Sequence, residues 1–186
     1  MILPHIARFL LWLGGWTIVG GELPVRKAVI IAAPHTSNWD GFWAIVYKVY
    51  TRTEIRWFVK DSMFWFPLNK LLTFFGAVPL NRERGGSAVS EAIAAFDKNE
   101  QFFLGLAPEG TRRKMQGWKS GFYRIAEGAN VPVVLGFLDF GSRRLGLGPI
   151  VTLTGDRDAD MAILESFYSS VSGRWPEKTG PIKLAR

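Results

Sequence analysis

Apolar residues along the chain follow two spacings. Short apolar runs rich in β-branched residues predict buried strands, whereas apolar residues that recur every three or four positions predict helices. The predicted strands are 28–33, 55–59, 77–80, 102–106 and 131–137. The predicted helices are 40–50, 87–96, 121–129 and 156–171, and the aromatic stretch 63–75 has helical spacing in part. This alternation of strands and helices predicts an α/β domain with one core.

The first 21 residues form an apolar segment that is interrupted by Arg8. The uncharged run from Phe9 to Gly21 is 13 residues long. A helix that spans a bilayer needs roughly 20 apolar residues, so this run is too short. Two alternatives remain: a helix packed on the domain, or a helix in the lipid headgroup region with Trp12 and Trp16 as anchors.

We favour the interfacial helix, because the glycine pair at positions 14 and 15 would weaken a helix held only by packing. The predicted organisation is therefore an N-terminal apolar membrane-associating segment, residues 1–21, followed by one domain, residues 22–186.

Composition and charge narrow the class of partner. The 186 residues include 8 Trp and 14 Phe, which suit either a bulky core or a lipid-contacting surface. The net charge of +7 predicts an anionic partner: nucleic acid, an acidic membrane leaflet or a phosphorylated substrate. Dense Lys/Arg runs and the aromatic signatures of RNA binding are absent, so we expect no nucleic acid partner. Cysteine is also absent, which excludes disulfides, thiolate metal sites and a cysteine nucleophile.

His35 and Asp40 are the first candidates for chemistry. They follow the predicted strand 28–33, and functional groups in α/β sheets gather just past the carboxyl ends of strands. The two side chains meet only if His35 lies in the loop and Asp40 in the first turn of the next helix, for which Ser37 or Asn38 is a suitable N-cap. A carboxylate on one imidazole nitrogen leaves the other nitrogen as a general base. By itself, the same spacing is also typical of a surface turn with a capping Asp.

A second polar cluster follows the predicted strand 102–106. Gly110 lets the backbone approach a ligand, Thr111 offers a hydroxyl, and Arg112 offers a bidentate fork for phosphate. Glu109 either orients an Arg through an ion pair or contacts a substrate hydroxyl. The alternative for the whole cluster is a solvated basic turn.

A third cluster follows the predicted strand 77–80. Arg82 and Arg84 precede a glycine pair that opens onto a predicted helix, which is a favourable setting for an anion. Together, the three clusters are compatible with one site that holds a nucleophilic hydroxyl beside a phosphate.

The motifs that are missing bear on the mechanism. The chain has no G-x-S-x-G sequence to supply an activated serine. The simplest chemistry is therefore direct: a histidine base takes a proton from an acceptor hydroxyl, which attacks an already activated acyl carbon. No covalent enzyme intermediate is needed.

These clusters, in this order, resemble the glycerolipid acyltransferase family, whose best-known members are the lysophosphatidic acid acyltransferases. Residues 35–40 match the H-x4-D block of the family, and residues 108–112 match its P-E-G-T-R block at every position. Residues 76–82, a short strand that ends in Arg, resemble the second block, and residues 131–133 resemble the fourth.

The resemblance implies a fold, an activity and a set of residue roles. The fold would be a mixed sheet flanked by helices. His35 would be the general base and Asp40 its orienting partner. The acyl donor would be an acyl-CoA or acyl-carrier-protein thioester, with no metal or cofactor, and the reaction would take place at the cytoplasmic face of the inner membrane. The acceptor's phosphate and glycerol would be bound by Arg82, Glu109, Gly110, Thr111 and Arg112, unless Gly110 and Thr111 serve to shape the loop.

Two departures from the family pattern concern the acceptor. Pro34 stands before the histidine, where family members often carry Asn, and residues 81–86 differ from those of a standard phosphatidate-forming enzyme. We expect transfer to 1-acyl-glycerol-3-phosphate, which gives phosphatidic acid. The alternatives are lyso-ornithine lipid, another lysolipid, or a non-catalytic basic module that binds membranes.

Overall fold

A computed structural model of the chain describes residues 2–80 and 87–185. Numbered along the chain, the strands are β1 (Thr17–Val19), β2 (Lys27–Ala33), β3 (Ile55–Lys60), β4 (Ala77–Leu80), β5 (Phe102–Leu106), β6 (Val133–Asp139) and β7 (Arg144–Val151). They form one sheet in the order β1-β7-β6-β2-β5-β3-β4. The five strands from β6 to β4 are parallel, so their carboxyl ends lie along one edge of the sheet.

The five predicted strands are confirmed, and two further strands make the sheet mixed. β7 runs antiparallel to β6, and β1 runs parallel to β7. Neither strand has a clear apolar pattern, because β1 has only three residues and β7 contains Gly146, Gly148 and Pro149. The tertiary structure explains Gly146: a Cβ at this position would collide with the backbone of Val19 in the neighbouring strand.

Helices cover both faces of the sheet. Side chains alternate between the two faces along β2, so Val29 and Ile31 belong to one core cluster, and Ala28 and Ile30 belong to the other. The helices are α1 (Leu3–Leu13), α2 (Asn38–Thr51), α3 (Leu68–Phe74), α4 (Ser87–Lys98), α5 (Gly121–Gly128) and α6 (Arg157–Tyr168). The first cluster contains residues of α4, α5 and α6, and the second contains residues of α1 and α2.

The N-terminal segment is continuous with the sheet and its core. β1 lies within residues 1–21, which the sequence analysis set apart, and it pairs with β7. Ala7 and Leu11 of α1 are buried in the core cluster shared with α2. One face of α1 is therefore packed on the domain, which was the alternative that we did not favour. In residues 2–80 and 87–185, no helix has both the length and the apolarity needed to cross a bilayer.

The two predicted anchors of the N-terminal segment have opposite environments. Trp12 is 73% exposed, whereas Trp16 is only 6% exposed. The ring centroid of Trp16 lies 5.1 Å from that of Trp43 and 5.0 Å from that of Phe140. The expectation that Trp16 anchors the helix in lipid headgroups is therefore wrong, because its ring is part of the core.

Candidate active site

Two of the three predicted clusters lie at neighbouring strand ends. β2 and β5 are adjacent parallel strands, and Ile31 is paired with Leu106. The loops that follow these strands, residues 34–37 and 107–120, therefore leave the sheet side by side. The third cluster, with Arg82, lies outside the described residues, so its role stays a prediction.

Asp40 joins the first of these loops to the start of α2. Its Oδ2 accepts hydrogen bonds from the backbone N–H groups of Thr36 and Ser37, each over 2.7 Å. Ser37, one of the two predicted N-caps, accepts the N–H of Trp39 through its hydroxyl, which completes a capping box with Asp40. Asp40 thus lies in the first helical turn and points back onto the loop, as the spacing requires if it is to meet His35.

The imidazole of His35 lies against this carboxylate. Its Nδ1 is 3.1 Å from Oδ2 of Asp40. Burial by itself would raise the pKa of Asp40, but hydrogen bonds from His35 and Ser37 hold that pKa below its ordinary value. The ionised carboxylate therefore engages Nδ1 and leaves Nε2 available for proton transfer.

Glu109 contacts the first loop from the second. Its Oε1 accepts the backbone N–H of His35 over 3.1 Å, and the residue is 8% exposed. Burial raises the pKa of Glu109, and its Oε2 has no hydrogen-bond partner among the described residues. Glu109 does not line the groove beside His35, in contrast to Gly110, Thr111 and Arg112, which were predicted with it.

That groove has a polar end and an apolar body. Its volume is about 690 Å³, and its polar end is lined by His35, Asp40, Thr111 and Arg112. The rest of its wall is mainly apolar and comes from α2 and five strands, with Gly41, Ala44, Ile45, Ile55, Trp57, Leu106, Phe137, Leu145 and Leu147 among the lining residues. A Cβ at Gly41 would meet no described atom within 4 Å, so the groove has open space at this position.

Lys119 is a cation of this region that the sequence analysis missed. Its backbone N–H donates to the carbonyl of Pro108 over 2.9 Å. Its Nζ lies only 3.0 Å from the position that a Cβ of Gly110 would occupy, so the side chain covers this glycine. Nothing in the spacing of the sequence marks Lys119, because six loop residues separate it from Arg112 along the chain and only the folded loop brings it to Gly110.

A C-terminal segment, for which the sequence predicted no element, also contacts the first loop. The backbone N–H of Trp175 donates to Oγ1 of Thr36 over 3.2 Å. A Cβ at Gly173 would lie 2.9 Å from the methyl group and from the hydroxyl of Thr36. The same segment therefore bounds the loop that carries His35.

The comparison with known families identifies the class of protein that this fold and site define. Residues 17–134 match the model of the Acyltransferase family, which is more than half of the chain. The chain belongs to the acyltransferase family, and the resemblance to glycerolipid acyltransferases is thereby confirmed.

A solved structure is also similar. It is that of PlsC from Thermotoga maritima, described as a 1-acyl-sn-glycerophosphate (LPA) acyltransferase, with a TM-score of 0.62 and 18% sequence identity. The match covers 88% of this chain and 74% of that chain, and at this identity it concerns the fold. No curated protein sequence matches the chain. Family and fold together support glycerolipid acyltransferase activity.

Proposed function

We propose that the protein transfers a fatty acyl group from an acyl-CoA or acyl-carrier-protein thioester to the hydroxyl of a lysophospholipid. The preferred acceptor is 1-acyl-glycerol-3-phosphate, which would give phosphatidic acid. The observation that carries the proposal is the His35–Asp40 pair, which lies at the polar end of a largely apolar groove.

The chemistry of this pair is general-base catalysis. Nε2 of His35 takes the proton of the acceptor hydroxyl as the oxygen attacks the thioester carbonyl carbon. The C–S bond then breaks, and the leaving thiolate takes the proton from the imidazolium. Asp40 stabilises the imidazolium through Nδ1, so no covalent acyl-enzyme is needed.

The acceptor phosphate would bind to cations beside His35. Arg112 and Thr111 line the polar end of the groove, and Lys119 covers the adjacent Gly110. Neither Arg112 nor Lys119 forms an ion pair with a carboxylate in the described part of the chain. An arginine and a lysine without a carboxylate partner suit a phosphate monoester. Arg82, from the second block, is proposed to join them.

The apolar body of the groove would hold the acyl chain. Its lining offers large side chains from the strands and small ones, Gly41 and Ala44, from α2. An alkyl chain gains about 0.8 kcal/mol for each methylene group that it buries. A chain that fills the groove would therefore contribute much of the binding free energy.

Peripheral attachment to the cytoplasmic face of the inner membrane is the proposed location. The exposed side of α1 carries Ile6, Phe9, Trp12 and Leu13, which remain uncovered in the described part of the chain. Tryptophan and large apolar side chains on one side of a helix are typical of helices that lie in the headgroup region.

The test is transfer of a labelled acyl group from acyl-CoA and from acyl-carrier protein into a panel of lysolipids. The wild type is compared with His35→Ala and with His5→Ala, a control that removes the other histidine of the chain, exposed on α1. We expect label in phosphatidic acid for the wild type and for His5→Ala, and none for His35→Ala. Label in another lipid, such as acylated lyso-ornithine lipid, would keep the reaction and change the identity of the acceptor. No label with any donor would favour a non-catalytic membrane-binding module.

A further inference from the structure

A cluster of aromatic and basic side chains lies on the surface beside the His35 loop. The guanidinium of Arg174 is 5.9 Å from the ring centroid of Trp39, 5.7 Å from that of Phe140 and 5.6 Å from that of Trp175. Nζ of Lys178 is 5.6 Å from the ring of Trp175. We call Trp39, Arg174, Trp175 and Lys178 the aromatic–basic cluster.

This cluster borders the catalytic loop on two sides. Trp39 directly precedes Asp40 in the chain, and Trp175 is hydrogen-bonded through its backbone N–H to Thr36, the neighbour of His35. Any partner surface that contacts the aromatic–basic cluster therefore lies next to the loop that carries His35, the proposed base.

The polar groups of the cluster are available to a partner. Among the described residues, no carboxylate lies within salt-bridge distance of Arg174 or Lys178. This includes Glu177, which lies between them in the sequence and is exposed. A guanidinium that stacks on aromatic rings keeps its N–H donors at the edge of its plane, where they match two oxygens of a phosphate. Trp39 is 50% exposed and Trp175 is 45% exposed, so both indole rings beside Arg174 are accessible to a partner.

A line of ring contacts connects the cluster with the end of α1. Trp39 contacts Phe42, Phe42 contacts Trp43, and Trp43 contacts Trp16, with centroid distances of 5.6, 5.0 and 5.1 Å. Trp16 follows α1, whose outer side exposes further apolar side chains. The exposed rings of Trp39 and Phe42 are thus connected through the buried Trp16 to the helix that carries these apolar side chains.

This combination fits a lipid surface with anionic headgroups. Indole rings prefer the membrane–water interface, and basic side chains are attracted to the negative cytoplasmic leaflet. An acidic carrier protein would also complement the charge. The exposed apolar side chains of Phe42 and α1, however, suit a lipid surface better than an acidic, polar protein surface. We propose that Arg174, between Trp39 and Trp175, binds the phosphate of an anionic lipid headgroup and holds the mouth of the groove against the membrane. The proposal rests on the membrane location included in the proposed function.

Binding to vesicles tests the proposal without any need for turnover. The partition of the wild type, Arg174→Gln and Trp175→Ala is measured on vesicles of phosphatidylcholine and on vesicles of equal parts phosphatidylcholine and phosphatidylglycerol. The control is Arg124→Gln, which removes one exposed charge from α5, on the opposite face of the sheet. Thermal unfolding of each variant checks that the fold is retained.

We expect Arg174→Gln to bind the anionic vesicles about five-fold less tightly, the contribution of one basic side chain at such a surface. Its binding to phosphatidylcholine should not change, Trp175→Ala should weaken binding to both, and Arg124→Gln should behave as the wild type. An equal loss of affinity for anionic vesicles in Arg174→Gln and Arg124→Gln would show that net charge alone sets vesicle binding, and it would overturn the proposal. Unchanged vesicle binding of Arg174→Gln would also overturn it, and weaker binding to acyl carrier protein would then assign the cluster to that partner.

Transfer assays separate this proposal from the proposed function. With an acceptor dissolved as monomers, Arg174→Gln should turn over as the wild type does, whereas with the acceptor in anionic vesicles it should be slower. A wild type without any transfer activity would remove the proposed function, while the vesicle partition would still decide the role of Arg174.

Discussion

The backbone N–H of His35 donates a hydrogen bond to Oε1 of Glu109 over 3.1 Å. These residues are 74 positions apart in the chain and belong to the loops after β2 and β5. The conspicuous carboxylate of the P-E-G-T-R block thus holds the loop of the proposed base, and it does not line the groove. Glu109 is therefore a positioning residue in this structure.

The first prediction separates positioning by Glu109 from substrate binding. Glu109→Gln keeps the Oε1 acceptor and should retain most of the transfer rate. Glu109→Ala removes the acceptor for the His35 N–H and should lower kcat much more than it raises KM for the acceptor. Steady-state kinetics of both variants measure this. A Gln variant as impaired as the Ala variant, with a raised acceptor KM, would instead indicate that the carboxylate contacts the substrate.

Glu109 should also affect the pH dependence of stability. Its pKa is raised in the folded protein, mainly by burial, so the folded state holds this proton more tightly than the unfolded state does. The contribution of Glu109 to the free energy of unfolding is therefore greatest below its ordinary pKa of 4.5 and declines as pH rises through the raised value. Urea unfolding over a pH series should show this decline in the wild type and not in Glu109→Gln. A wild type that gains stability over the variant as pH rises would contradict the assigned direction.

The second prediction concerns Asp40. Asp40→Asn removes the charge that stabilises a protonated His35, so transfer should fall by roughly two to four orders of magnitude. The change also removes a negative charge from the first turn of α2, which costs roughly 0.3–1 kcal/mol of stability. Asp156→Asn is a matched control, because Asp156 caps α6 through the N–H groups of Asp158 and Ala159, far from His35 in sequence. It should show a similar change in stability with full activity.

A third prediction uses the open space at Gly41. Gly41→Leu should place a side chain in the groove, and it should reduce transfer of long acyl chains more than transfer of short ones. Stability should not fall, because leucine has a higher helix propensity than glycine. Gly121→Leu is the control, since Gly121 also has no described atom within 4 Å of a Cβ and belongs to α5. Equal activity of Gly41→Leu with all donor lengths would exclude this part of the groove from acyl binding.

The fourth prediction tests the contact between the C-terminal segment and the first loop. Gly173→Ala would bring a methyl group within 2.9 Å of both the methyl and the hydroxyl of Thr36, so Thr36 must move. Because the N–H of Thr36 donates to Asp40, we expect a lower kcat with little change in KM. Thr36→Ser removes one of the two clashing groups and keeps the hydroxyl. The double variant should therefore recover part of the lost rate, and no recovery would argue against this contact as the cause.

Local patterns in the sequence account for most of the elements and for the position of the base. The apolar runs predicted five strands correctly, and the reason is clearest for β2, β5 and β6, since a strand buried on both faces needs little besides continuous apolar side chains. Ser37 and Asp40 could be placed at the start of α2, because a capping box depends only on residues three positions apart. The family resemblance was predicted from four short blocks in their order along the chain, and the match of residues 17–134 to the Acyltransferase model shows the family.

The features that were missed depend on contacts between distant segments. β1 and β7 have weak patterns, and each is a strand because its neighbour supplies the hydrogen bonds. Trp16 is a residue type that is typical of lipid anchors, yet its ring packs against the rings of Trp43 and Phe140. Glu109 looks like a substrate ligand in sequence, and only the adjacency of β2 and β5 directs its carboxylate to His35.

The sequence by itself thus determined the α/β class, the main strands, the family and the spacing that lets a histidine meet an aspartate. The tertiary structure alone decided which face of α1 is covered, where Glu109 points, that Lys119 covers Gly110, and that the C-terminal segment lies against the His35 loop. The physical reason is the range of the interactions. Capping and periodic burial act over a few residues, whereas strand order and loop packing join residues that no local pattern connects.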